Sequence, residues 1–190
     1  MSDPVRTFTM DSLEWEPWIE PVDLAAATAE QREALKVTPS NMAVSAYSLV
    51  LAHDPEALAQ RTPLYNAVMY APRGLPRADR ELGALAASRV NGCVYCASVH
   101  SRRFVELAKQ LEVVERIYDK GPAAELDERR QAVFDFAVKL TRSPPSAGEA
   151  EIAALRRVGL GDLEILDLTN AVAMFAWANR LMQTLGEPVK

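Results

Sequence analysis

The stretch "LPRADRELGALAASRVNGCVYCASVHSRRFVELAKQL", Leu75–Leu111, decides how this chain folds. Its first half predicts a helix with Pro76 near the first turn and with Leu82, Leu85, Ala86, the stem of Arg89 and Val90 along one stripe. Asn91-Gly92 predicts the stop, because both residues tolerate the positive φ that ends a helix. A second helix is expected from about Cys93 to Leu111. At about 100° per residue, Cys93, Cys96, His100, Phe104, Leu107 and Leu111 fall on one narrow stripe of it. The chain has two cysteines and two histidines, and three of these four lie between Cys93 and His100. A helical hairpin therefore carries the reactive residue types on a face that continues as core.

Outward from the hairpin the pattern stays helical. "DLAAATAEQREALK" (Asp23–Lys36) predicts a helix capped by Asp23 and stopped before Pro39, and "NMAVSAYSLVLAH" (Asn41–His53) a buried one. "PEALAQRTPLYNAVMY" predicts a helix broken or rearranged at Pro63. "LEVVERIYDKG" ends at Gly121, "DERRQAVFDFAVKLTRSP" starts at Asp127, and "SAGEAEIAALRRVGLG" starts at Ser146. The last helix, "GDLEILDLTNAVAMFAWANRLMQTLGEP", is closed by Gly186 and Pro188. No segment alternates strictly between hairpin dipeptides. Residues 1–22, with Pro4, Pro17 and Pro21, are expected to form an extended arm docked through Trp15 and Trp18. Residues 23–190 are expected to form one all-α domain.

Composition narrows the function. The 190 residues are enough to bury a core, and 49% apolar with 25% charged residues is a globular balance. A net charge of -5 argues against nucleic acid or an anionic membrane as partner, since either needs clustered Lys and Arg. Val5–Glu20 is acidic and lacks the basic start and apolar run of a signal peptide, and no stretch approaches about 18 uninterrupted apolar residues. The expected compartment is the reducing cytoplasm, where a close cysteine pair points to redox chemistry or metal binding rather than to a staple.

The hairpin geometry adds a fourth group. If the helices return antiparallel, a rise of about 1.5 Å per residue sets His100 level with Glu81–Leu85. Glu81 then borders the buried stripe, where a desolvated carboxylate can exchange a proton with an imidazole. Cys96 falls in the first turn, where free N–H groups and the helix dipole favour a thiolate, so it is expected to be the more acidic thiol. Cys93 is placed to close a disulfide with it. The Cys-x2-Cys-x3-His spacing, with Glu81, also fits a tetrahedral zinc site. Haem attachment is excluded, because Ala97 rather than His follows Cys96. Elsewhere His53 reads as a helix C-terminal cation, and Met174, Phe175 and Trp177 as core or subunit interface. Arg102-Arg103 and Arg129-Arg130 read as solvated faces, and Tyr95 as pointing away from the cysteine stripe toward a neighbouring subunit.

The pattern Glu81, eleven residues, Cys93-Val94-Tyr95-Cys96, three residues, His100 resembles the signature of alkylhydroperoxidase-D-like proteins. These belong to the carboxymuconolactone decarboxylase superfamily, and the match is closest to its peroxidase-related branch. "RGLPRADREL" and "WANRLMQTLG" extend the resemblance from about His53 to the C-terminus. The resemblance implies an all-helical homo-oligomer that reduces hydroperoxides without metal or other cofactor. It implies Cys96 as the peroxidatic thiol, Cys93 as the resolving thiol, His100 as the base and Glu81 as its proton partner. A dithiol must then reopen the disulfide; in the family this can be a lipoyl group on a carrier protein. Members of known function can carry His between the cysteines, where this chain has Tyr95. Decarboxylase members lack the cysteine pair, which counts against that activity here. The competing expectation is a metal-binding or redox-sensing helical oligomer built on the same residues.

Overall fold

The computed structural model describes residues 3–39 and 42–190. Its centre is α4 (Arg77–Asn91), in which every residue from Asp79 to Ser88 is buried. The expected apolar stripe is therefore a helix enclosed on all sides. The small residues of "GALAAS" explain the difference, because they let three helices approach at once: α5 (Val94–Ala108), α7 (Glu128–Thr141) and α9 (Asp162–Leu185). A Cβ at Gly83 would lie 2.9 Å from Leu168 Cδ1 and 3.1 Å from Val172 Cγ2, so glycine sets how closely α9 packs on α4.

Charges buried on α4 are paired, as the cost of burial requires. Arg80 donates to Asp167 at 3.0 Å and to the carbonyls of Val68 and Arg73. Asp79 accepts from Arg129 at 2.9 Å. Arg129 is thus a tie between α4 and α7 rather than part of a solvated face, and Arg130 pairs with Asp127.

Gly92, at φ 75°, turns the chain from α4 into α5 as expected. The second helix is shorter than its stripe suggested. It ends at Ala108 with Lys109 in the left-handed region at φ 58°, and Leu111 begins α6 (Leu111–Lys120). Leu107 and Leu111 are 44% and 41% exposed. With His100 level with Glu81, Leu107 lies beyond the first residue of α4 and has no partner there. Phe104, fully buried, is where the stripe ends.

The remaining helices follow their caps. α1 spans only Ala29–Ala34, closed by a capping box between Thr28 and Gln31, while Asp23 holds a local turn by accepting from the Ala25 N–H. α2 (Ala46–Leu51) is capped by Ser45; Asn41, the expected start of this segment, lies outside the described residues. α3 (Pro55–Tyr70) runs unbroken through Pro63. Pro63 and Ala59 are both on the exposed side, so water can satisfy the carbonyl that proline leaves without a donor. After α6, Gly121–Ala123 forms one 3-10 turn, followed by α7 capped by Asp127 and α8 (Glu149–Arg157).

A two-stranded antiparallel ribbon completes the fold: β1 (Glu14–Pro17) pairs with β2 (Gly186–Val189), with Trp15 opposite Pro188. Strands of four residues are too short to show alternation, so the sequence pattern missed them. Trp15 docks, donating its indole N–H to the Met182 carbonyl at 3.0 Å, whereas Trp18 is 60% exposed. Gly186 starts β2 in extended backbone, and a Cβ there would lie 2.5 Å from both the Glu16 carbonyl and the Trp15 ring. His53 follows the C-terminal end of α2, and its Nε2–H donates to the Glu20 carbonyl at 2.8 Å and ties down the arm. No described helix is long and apolar enough to cross a membrane.

Candidate functional site

The α4–α5 hairpin brings Glu81 and His100 together in the interior, at 0% and 2% exposure. His100 Nδ1 lies 2.6 Å from Glu81 Oε2, and Arg77 Nε donates to Glu81 Oε1 at 3.3 Å. Burial pushes the Glu81 carboxyl up, but the hydrogen bond and charge of His100, with Arg103 and Arg77, bring it below its usual value. Glu81 is accordingly an anion that accepts from Nδ1–H. In a neutral imidazole that contact sets the tautomer, with the proton on Nδ1 and Nε2 as the acceptor. Phe175 packs edge-on to the imidazole, with ring centroids 4.0 Å apart, and limits its rotation. Phe175 therefore belongs to the site, not to a subunit interface.

The two thiols meet at the start of α5, where Cys93 is the N-terminal flanking residue and Cys96 lies in the first turn. Both are buried and unbridged, with their Sγ atoms 2.7 Å apart. Burial pushes the Cys96 thiol well up, and the neighbouring Cys93 adds to this. Cys93 is lowered, first by the Cys96 thiol and against its own burial. Burial of Cys96 therefore opposes the first-turn advantage that spacing suggested for it.

Asn179, on α9, is a site residue that the sequence reading passed over. Its side-chain amide lowers both thiols. Its orientation is set by Asn91, which donates to Oδ1 at 3.0 Å, and by its own donation to Ser88 Oγ at 3.1 Å. Ser88 in turn donates to the Ala84 carbonyl. The available signal was a polar residue within the apolar run "AMFAWANRLM", a position that must find a partner once buried.

Cys96 and His100 open onto one cavity of about 740 Å³, whose wall also includes Tyr47, Arg61, Tyr95 and Phe175. Cys93 instead borders a cavity of about 190 Å³ beside Trp15 and Gly186. Tyr95 lines both cavities, so it stands beside the thiols rather than facing away from them. Burial, with Cys96 nearby, raises its phenol, which remains a neutral donor. Arg102 and Arg103 are not simply solvated: they donate to the Ser98 carbonyl and the Tyr70 hydroxyl, respectively. Among the described residues, no three His, Cys, Asp or Glu side chains converge as metal ligands. The zinc set that the spacing allowed is not assembled, because Glu81 is already held by His100 and Arg77.

Residues 55–137 match the carboxymuconolactone decarboxylase family. Among solved structures, a peroxidase-related protein with an alkylhydroperoxidase AhpD core from Ralstonia eutropha JMP134 superposes with a TM-score of 0.75. It is 28% identical over 89% of this chain and 90% of its own. A peroxidase-related protein from Silicibacter sp. TM1040 is 27% identical, with a TM-score of 0.72 over 91% of this chain and 94% of its own. The debrominase Bmp8 shares the fold, with a TM-score of 0.71 over 89% of this chain and 90% of its own, at 16% identity. Among curated proteins none matches the sequence. The matched segment and these two peroxidase-related neighbours, each aligned over nearly the whole chain, support the assignment of the chain to the alkylhydroperoxidase-D-like carboxymuconolactone decarboxylase superfamily.

Proposed function

We propose that the protein is a thiol-dependent hydroperoxide reductase. The observation that carries this reading is an imidazole held by a buried carboxylate, opening onto the same cavity as a thiol that has a second thiol 2.7 Å away. Because burial raises Cys96, its proton needs an acceptor, and Nε2 of His100, one helical turn on, is suited to take it. The Cys96 thiolate attacks the distal peroxide oxygen. The O–O bond breaks, and the departing alkoxide takes the proton from the imidazolium to leave as the alcohol. Cys96 is now a sulfenic acid, and the Cys93 thiol attacks its sulfur, forming the disulfide and releasing water. An external dithiol reopens the bridge by exchange and is itself oxidised to a disulfide. A lipoyl group on a carrier protein is one reductant of this class. Asn179 acts as a positioning residue that holds the thiolates in place.

The peroxidase-related names of the two neighbours at 28% and 27% identity support this reading. The test is a thiol count before and after one equivalent of hydroperoxide. The wild type should lose both thiols and consume the peroxide, Cys96→Ser should consume none, and Cys93→Ser should leave a trappable sulfenic acid on Cys96. Two intact thiols in the wild type after peroxide exposure would overturn it. Oxidation to the disulfide without turnover in any dithiol would favour a redox sensor instead.

A further inference from the structure

Arg61, on α3, is 9% exposed, and its guanidinium lies 5.0 Å and 5.5 Å from the ring centroids of Tyr65 and Tyr47. Its Nε and Nη1 are buried with no hydrogen-bond partner among the described residues, and the buried hydroxyl of Tyr47 has none there beyond the neighbouring Arg61 guanidinium itself. Arg80 is buried at least as deeply but is met by Asp167 and two carbonyls. A guanidinium does not shed its proton, so desolvation without an anion is unfavourable unless something else fills that role. Arg61 and Tyr47 both line the larger cavity that Cys96 and His100 share. Four arginines and two glutamates line that cavity, in a chain whose net charge is -5. Arg77, Arg102 and Arg103 are engaged by Glu81, the Ser98 carbonyl and the Tyr70 hydroxyl, and of the four only Arg61 has buried donors without a partner among the described residues. Leu13, Phe175 and Met182 give the cavity an apolar wall.

We propose that Arg61 and the Tyr47 hydroxyl form an anion subsite, which takes the carboxylate of an organic hydroperoxide whose apolar body lies along this wall toward Cys96. One guanidinium with one hydroxyl suits a monoanion better than a phosphate dianion, which would need more donors. Burial pushes the Tyr47 phenol up to about 12, so it stays protonated and able to donate. The assignment names the substrate class of the thiol chemistry above and rests on that reading, although anion binding itself needs no turnover.

The test uses the reduced full chain with ω-hydroxydecanoate and its methyl ester, which cannot be reduced and so report binding alone. By calorimetry the acid should bind about tenfold or more tightly than the ester, the range of one charge-assisted contact. Arg61→Met should remove that preference and leave the affinity for the ester unchanged. Equal affinities of the wild type for acid and ester overturn the subsite, and this comparison needs no variant to fold. A loss in Arg61→Met that is equal for acid and ester overturns it as well. The matching hydroperoxides separate this from the reaction. If neither is reduced while the acid preference persists, the peroxidase reading fails and the anion site stands. If both are reduced with the same kcat/KM and their alcohols bind equally, the subsite fails and the peroxidase reading stands.

Discussion

At Glu81, burial and pairing pull the carboxyl in opposite directions, and pairing wins. Its folded pKa lies below its ordinary value of 4.5, so the pair's stabilisation is present above that pH and is lost as pH falls through the folded pKa. Glu81→Gln should therefore lower Tm most at neutral pH, with the gap to the wild type closing as pH falls through the folded pKa and Glu81 itself becomes neutral. A gap independent of pH would show that shape, not charge, holds His100. The kinetic side is a double-mutant cycle on peroxide-driven disulfide formation. Glu81→Gln and His100→Phe should each slow it by about 100-fold or more, and the double variant should be little slower than either. Additive losses, read by stopped flow, would mean that the two residues act separately. This contact was legible in the sequence, because a helical rise and one Asn-Gly turn suffice to place residue 100 opposite residue 81. The burial of Cys96 was not, because helical spacing gives direction along a helix and says nothing about how completely a side chain is sealed from water.

The helices themselves were mostly visible, since caps and period are local properties. α7 is capped by Asp127 and α6 by Gly121, where the sequence put these boundaries. The misses have non-local causes: solvent rescues α3 at Pro63, and α4 is enclosed by three neighbours instead of one. α9 shows what such enclosure adds, because it delivers Asn179 to cysteines that precede it by more than 80 positions in the sequence. Asn179→Ala should move the pH profile of thiol alkylation upward, because both thiolates lose a stabilising donor. Loss of one such hydrogen bond corresponds to a shift of about one pH unit. An unchanged profile, with only Tm lowered, would reduce Asn179 to a link between α4 and α9.

The molecule as a whole keeps one apolar strip uncovered. Leu163, Leu166 and Trp177 lie within about 60° of one another around α9 and are 47%, 55% and 45% exposed. Met174 and Phe175, also expected as contact candidates, are buried within the chain, so Trp177 alone of the three is available. A homo-oligomer through this strip is expected, with a mass above the 20.9 kDa of one chain by light scattering at micromolar concentration. Leu166→Glu with Trp177→Glu should reduce that mass, and a monomeric wild type would refute the expectation. The ribbon of β1 and β2 bears on another property, the order in which the native state is assembled. Trp15 finds its carbonyl partner on Met182, 167 positions away, whereas the cysteine hairpin is closed by a turn at Gly92. Loop-closure entropy and contact order both place such a distant pairing late, after the hairpin has formed. Trp15 is therefore expected to cover Cys93 and Cys96 only after the hairpin has juxtaposed them. With two cysteines in the chain, oxidant reaching them before that can form within it only the Cys93–Cys96 bridge, so early oxidation leaves no intramolecular mispairing to undo.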